Sequence, residues 1–266
     1  MTILDTVFSA TARLHIAGDP ATWIAFEGVY GVVRASEGRL LPDAVVRDLP
    51  EVGPDHPHRE EWRIRGDSLR RLVNHLAARS GAMTIVDLGC GNGWMSRHLA
   101  DLPGARVLGV DIHRAELDQA VRLFGGQPEL AFLAGDIFSL PIPAASLDIV
   151  VAASCIQYFP DLRALVRRLR ELLAPGGELH LLDSPLYARG DQQAAAARST
   201  EYFRERGHSE MNDYYFHHCC DDLSGIPHRF LHDPDRPVAR LTRRLGWTDR
   251  SPFPWVVIPA AGEGGS

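Results

Sequence analysis

Val86-Asp87-Leu88-Gly89-Cys90-Gly91-Asn92-Gly93-Trp94 is the stretch whose reading decides the fold. The apolar run Thr84 to Leu88, bounded by Gly81 and Gly89, reads as a short buried strand. From Trp94 to Leu102 the pattern becomes helical, with Met95 and Leu99 on one face. Between them stand three glycines at alternate positions. Glycine there permits positive φ where a strand turns into a helix, and with no Cβ it lets a ligand come close to the backbone. A glycine triplet by itself is shared by many turns; its place after a buried strand and before a helix gives it weight.

Outward from this point the pattern repeats. Arg106 to Val110 is a second predicted strand, ending at Asp111, and Arg114 to Phe124 a helix with Leu117, Ala120, Val121 and Phe124 as its apolar stripe. Leu130 to Ala134 and Leu147 to Ala153 are further strands. Asp161 to Leu173 is a helix carrying leucines at helical spacing, stopped by Pro175-Gly176-Gly177, and Glu178 to Asp183 is a fifth strand. Strands alternating with helices imply parallel pairing through right-handed crossovers, and near-continuous apolar strands imply a sheet covered on both faces. The fold class is therefore α/β, a doubly wound sheet. Its ligands bind beyond the carboxyl ends of the strands, here residues 88–94, 111–113, 135–137, 153–158 and 183–187.

Two carboxylates sit at such ends. Asp111 follows the second strand, where a carboxylate can accept from both hydroxyls of a ribose; a helix N-cap is the competing role. Asp136, after Gly135, can accept from an exocyclic amino group, with Ile137 against a purine face.

The segment from Ile85 to Asp183 resembles the class I S-adenosylmethionine-dependent methyltransferases, particularly the small-molecule ones. The resemblance rests on Val86 to Gly93, Gly109-Val110-Asp111, Gly135-Asp136, Leu147-Asp148-Ile149-Val150 and Leu172-Leu173-Ala174-Pro175-Gly176-Gly177, in that order and spacing. It implies S-adenosylmethionine as cofactor. Asp87 with Gly89, Cys90, Gly91, Asn92 and Gly93 would hold the methionine part, and Asp111 the ribose. Asp136 would take the adenine amino group, Ile112 and Ile137 would sandwich the ring, and Ser154 and Tyr158 would lie by the sulfonium. It also implies a strand hairpin after the fifth strand, giving a mostly parallel seven-stranded sheet. Phe253 to Ile258 and Arg229 to His232 are the segments available for the hairpin.

The flanks carry the remaining expectations. Residues 1–80 are read as an N-terminal helical cap and residues 81–266 as the methyltransferase domain, with 185–250 as an inserted lid over the substrate. A helix opening at Trp62 places Arg65, or less favourably Arg63, where it could pair bidentately with the methionine carboxylate. The aromatic and imidazole groups Trp23, Tyr30, Trp62, Tyr187, Tyr202, Tyr214, Tyr215 and His217 suit a grip on a small acceptor. Padding of the outer helices or a homodimer contact is the competing use. His217-His218-Cys219-Cys220 lacks the spacing of a tetrahedral metal site, and Ala153-Ser154-Cys155 offers no carboxylate to a cation, so no metal is expected. No catalytic residue is assigned; His180, His208, His217, His218 and Asp183 are the candidate bases if the acceptor is a hydroxyl.

Bulk composition bounds the reading. The 266 residues include 28 Lys+Arg, all of them arginine, against 34 Asp+Glu. No lysine is present to act as a Schiff base or general base. A formal net charge of −6 argues against a nucleic-acid partner held by phosphate neutralisation. No uninterrupted apolar run suits a membrane span, no secretory leader is read, and four cysteines in a chain able to build a large core fit a reduced, cytoplasmic setting. The expected reaction is transfer of a methyl group to an O, N or C nucleophile of a small molecule. A non-catalytic cofactor-binding regulator is the alternative. A nicotinamide-dependent oxidoreductase is disfavoured, because Trp94 stands where its fingerprint needs a third glycine.

Overall fold

A computed structural model of the protein describes residues 2–9, 14–236, 245 and 251–262. The strands are β1 (Leu14–Ile16), β2 (Met83–Leu88), β3 (Ala105–Asp111), β4 (Leu130–Ala134), β5 (Leu147–Ala153), β6 (Leu173–Leu182), β7 (Leu186–Tyr187), β8 (His218–Cys219), β9 (Arg229–His232) and β10 (Trp255–Pro259). The helices are α1 (Ile3–Ser9), α2 (Ile24–Ser36), α3 (Asp43–Asp48), α4 (Arg59–Ala77), α5 (Trp94–Ala100), α6 (Arg114–Phe124), α7 (Leu162–Leu172) and α8 (Asp191–Glu205).

The main sheet has eight strands in the order β1-β4-β3-β2-β5-β6-β10-β9. β1 to β6 pair in parallel, while β10 runs antiparallel to both β6 and β9. The expected hairpin is present in the two expected segments. The expected strand count is one short: β1 adds an eighth strand at the β4 edge, Leu14 opposite Phe132 and Ile16 opposite Ala134, and Ala17 N–H continues the ladder to the Ala134 carbonyl at 2.9 Å.

Alternation along each strand sorts side chains onto two faces. One face, with Val86, Leu108, Leu133, Val150 and Leu179, packs under α7 and α1. The other, with Ile85, Val107, Phe132, Ile149 and Val257, packs under α3 to α6. Residues 1–80 are thus only partly a cap. Leu4 and Val7 of α1 and Leu69, Leu72 and Leu76 of α4 belong to the two cores on the sheet. What stands above the carboxyl ends of the strands is α2 from one flank and α8 with residues 209–217 from the other. These meet in a third, small apolar cluster around Val33, Phe203 and Met211. Of the expected 185–250 lid, residues 237–244 and 246–250 lie outside the described residues.

Candidate functional site

At the end of β2 the chain turns through Gly89, Gly91 and Gly93 at φ +71°, +52° and +76°, backbone that a side chain strains. A methyl on Gly93 would lie 2.8 Å from the Phe132 ring, so this glycine lets the loop lie on the core. A methyl on Gly91 would instead fit without a clash, its nearest neighbour the Glu116 carboxylate at 3.5 Å, and both residues line the cavity described below.

Carboxylates surround this loop. Asp87 is 2% exposed and accepts from Ser96 Oγ at 2.6 Å. Burial, with the charge of Asp111 nearby, pushes its carboxyl up to about 7. Asp111 accepts from the backbone N–H groups of Gly91 (2.7 Å), Ile112 (2.7 Å) and His113 (2.9 Å), which ties the glycine loop to the end of β3. Burial and then the Glu116 charge raise its carboxyl despite those donors. Glu116 is itself buried at 5% exposure, with His113 Nδ1 at 3.0 Å and Arg34 at 3.7 Å. Burial works against its ionisation, but those two partners outweigh it and hold its carboxyl below the usual range.

Strain gathers at the next two strand ends. Ser154 after β5 and Asp183 after β6 have φ of +56° and +53°, and Ser154 Oγ donates to the Asp183 carbonyl at 2.8 Å. Such backbone costs on the order of 1–3 kcal/mol per residue and concentrates where a site needs it. Asp183 accepts from Ser68 Oγ of α4 at 2.7 Å.

These elements floor a cavity of about 640 Å³. Its walls come from both flanks. Tyr30 of α2 meets Tyr158 edge-on at 5.4 Å, and Tyr158 meets Tyr215 at 5.8 Å, so aromatic rings from three segments line one side. Arg34, Glu37, Arg39, Glu61 and Arg65 line another. Arg39 and Arg65 both reach Glu61, at 2.8 and 2.9 Å.

Residues 85–177 match the family model described as a methyltransferase domain. This segment is similar to that domain, and the sheet around it has the class I methyltransferase fold. The trans-aconitate 2-methyltransferase of Paracidovorax citrulli is 37% identical over 123 residues, 44% of this chain and 46% of that protein. The 27-O-demethylrifamycin SV methyltransferase of Amycolatopsis mediterranei is 27% identical over 151 residues, 53% of this chain and 56% of its own. The chain spans about half the length of the curated relatives it matches, 58%, 47% and 56% for three of them. Among solved structures, the geranyl diphosphate C-methyltransferase from Streptomyces coelicolor A3(2) shares the fold, with a TM-score of 0.56 at 16% identity, covering 81% of this chain and 82% of that one.

The cavity gathers Arg65, Asp87, Gly89, Cys90, Gly91, Asn92, Ser154 and Tyr158 of the sequence-predicted site. It does not take in Gly93, Asp111, Ile112, Asp136 or Ile137. Gly93 faces the core. Asp111 stands behind Gly91. Just beyond Ile112, α2 packs on the chain: Tyr30 lies edge-on against His113 at 5.1 Å, and Glu27 accepts from the Arg114 N–H at 2.6 Å. Asp136 accepts from the Phe138 N–H at 3.1 Å. Ile137, expected against the adenine, is 1% exposed and sits in the sheet core with Leu140 and Ile142.

The candidate bases separate in the same way. Asp183 lines the cavity. His217 stands beside it, hydrogen-bonded to Ser199 Oγ at 2.9 Å. His218 donates to the Ile156 carbonyl at 3.0 Å and faces inward. His208 lies off the lining. His180 is fully buried on β6, where the indole N–H of Trp255 donates to its Nδ1 at 3.2 Å. Its Nε2 therefore carries the proton and faces Glu178 at 3.5 Å. His75, Glu178 and His180 cluster as metal ligands do, but a protonated Nε2 has no lone pair for a metal. Glu178 is instead shared by His75, Arg79 and Arg229, a charge clamp at the sheet edge.

Sequence reasoning missed Arg34, Glu37, Arg39, Glu61 and Glu116. The i,i+3 spacing of His113 and Glu116 was a usable signal for that pair. The others reach the site only through long-range packing and leave no local trace.

Proposed function

We propose that this protein transfers the methyl group of S-adenosylmethionine to a nucleophilic atom of a small molecule held in the cavity. The observation that carries this is one continuous cavity, running from the side-chain-free face of Gly91 to a wall of tyrosines supplied by both flanks. Gly91 is a cradle that a Cβ would fill, which fits the close approach of a cofactor backbone. Asp87 and the glycine loop would hold the methionine part, Arg65 its carboxylate, Asp111 the ribose hydroxyls and Asp136 the adenine amino group. With Ile137 packed away, Ile112 and the exposed Phe138 are the side chains left for the ring. On this reading the ribose would lie beside His113, which Tyr30 of α2 covers, and the cofactor would enter as Tyr30 moves off that ring.

The bound cofactor supplies an electrophilic methyl on sulfonium. The chain supplies alignment and a site closed to water. The acceptors named for the relatives, trans-aconitate and a rifamycin precursor, are small molecules, which supports the same class here. Among the described residues no helix is long and apolar enough to cross a membrane. The four free cysteines favour a cytoplasmic setting. The acidic net charge favours a small acceptor over nucleic acid.

Calorimetry tests the cofactor. S-adenosylmethionine and S-adenosylhomocysteine should bind, and NAD should give no comparable heat; NAD binding without a response to the methyl donor would sink the reading. Mass spectrometry after incubation with methyl-labelled cofactor and a metabolite panel tests turnover. Cofactor binding with no labelled product from any panel member would move the protein to the regulatory alternative.

A further inference from the structure

One end of the cavity is built by α8 and the segment that follows it. Ala195, Phe203 and Met211 form its apolar base, and Tyr187, Arg198, Ser199 and Tyr215 stand around it. Arginines elsewhere on the cavity wall are otherwise engaged: Arg34 faces Glu116 at 3.7 Å, Arg39 faces Glu61 at 2.8 Å, and Arg65, given above to the cofactor's carboxylate, also reaches Glu61 at 2.9 Å. Arg198 has no carboxylate partner among the described residues, so its charge is open to a ligand. Next to it Ser199 Oγ is fixed by His217 Nε2 at 2.9 Å. The imidazole is held below its ordinary pKa by burial, then by His218 and Arg198 beside it, and so stays neutral. The rings of Tyr187 and Tyr215 flank that imidazole at 5.8 and 5.3 Å.

An open guanidinium, a fixed hydroxyl beside it and flat aromatic walls on an apolar base together describe one kind of ligand. Resting on the methyltransferase reading, we infer that this end of the cavity selects a planar acceptor bearing a carboxylate. Arg198 takes the carboxylate as a forked ion pair, Ser199 supplies a second contact in the orientation His217 sets, and Tyr187 and Tyr215 pack against the plane. The acceptor class is then a conjugated or aromatic carboxylic acid.

Calorimetry on the full chain saturated with S-adenosylhomocysteine tests this. The probes are benzoate, 4-hydroxybenzoate and 4-hydroxycinnamate, each beside its methyl ester. At least one acid should bind on the order of tenfold or more tighter than its ester, as expected for a charge-assisted pair. Arg198→Ala should erase that preference while leaving S-adenosylhomocysteine binding unchanged, and Arg198→Lys should keep part of it. Ser199→Ala should weaken the acid and spare the ester. Arg198 lies on the exposed side of α8, and far-ultraviolet circular dichroism checks that the variants fold. The inference is overturned if no acid binds tighter than its ester, or if the preference survives in Arg198→Ala. Failure of S-adenosylhomocysteine to bind at all would instead overturn the methyltransferase reading on which it rests.

Discussion

Two alanine substitutions in one loop should have opposite consequences. Gly91 and Gly93 both hold left-handed backbone, at φ +52° and +76°. Placing an L residue there costs about 1–2 kcal/mol. For Gly91→Ala this is the whole penalty to folding, because the new methyl meets nothing closer than Glu116 at 3.5 Å. For Gly93→Ala the methyl lands 2.8 Å from the Phe132 ring of β4 and 2.9 Å from Ala120 Cβ of α6, both in the core. Overpacking of that kind adds about 1–3 kcal/mol, for a total of about 2–5 kcal/mol. Binding should run the other way. With the cofactor lying on Gly91 as proposed, the new methyl would stand in its way, and at least about tenfold of affinity, 1.4 kcal/mol, should go. The Gly93 methyl points away from the cavity, and affinity in the folded fraction should change by less than about threefold, on the same scale. Urea denaturation gives the first quantity and calorimetry with S-adenosylhomocysteine the second. Equal destabilisation by the two variants, or wild-type affinity in Gly91→Ala, would refute the placing of these two glycines.

Three further outcomes follow from the charges. Asp87 titrates near 7 when folded and near 3.8 when unfolded; the unfolded chain ionises first, so Asp87's contribution to stability is intact below about pH 4 and falls as pH climbs to about 7. Asp87→Asn, which can still accept from Ser96, should remove a loss on the order of 2 kcal/mol between pH 5 and 7, read as the wild-type minus variant difference in urea unfolding. Zinc added to the protein should not raise its melting temperature, because the Trp255 indole fixes the proton on His180 Nε2; a zinc-dependent rise that His75→Ala abolishes would show otherwise. Arg34→Met removes one of the two partners of buried Glu116 and should cost about 1–3 kcal/mol in urea denaturation, with Glu116→Gln on the same background recovering part of it.

The sheet was legible because its inner strands are continuous apolar runs between turn residues. Leu130–Ala134, Leu147–Ala153 and the helix Arg114–Phe124 have in the structure the ends their patterns suggest. The helix after the glycine loop stops at Ala100, two residues early, in a turn that leads through Pro103 to β3. β1 was not legible. Three residues, one of them His15, make no periodic signal, and the strand forms because β4 would otherwise leave an open ladder. The site divides along the same line. Residues that act through the strand–turn–helix pattern, from Asp87 to Asn92, could be read directly. Arg34 meeting Glu116, Tyr202 donating to Glu37 at 2.7 Å, and Tyr30 resting on His113 are contacts between distant segments. Nothing in a local pattern encodes them.

That division has a physical consequence for the protein. The two sheet cores are held by long apolar strands and by helices with full stripes, whereas the cover over the cavity rests on Val33, Phe203 and Met211 with a few half-buried tyrosines. Each fully buried apolar side chain contributes about 1.5–3 kcal/mol, so three of them hold the cover far less firmly than the dozens beneath it hold the sheet. The cover is also bipartite. α2 and α8 bury these residues against one another, and the links from cover to sheet are single polar or ring contacts, among them Arg34 to Glu116, the Arg114 N–H to Glu27 at 2.6 Å, Tyr30 to His113 and Tyr158, Tyr215 to Tyr158, and the Phe216 N–H to the Gln157 carbonyl at 2.7 Å. A weakly held unit of this kind opens without unfolding the sheet. The proposed transfer would use both states. Closed, the cover would keep water from the methyl in transit; open, it would let a cofactor as large as S-adenosylmethionine in and the demethylated product out. With the glycine loop on the sheet and the proposed acceptor grip on the cover, the part that must not move would be separate from the part that must.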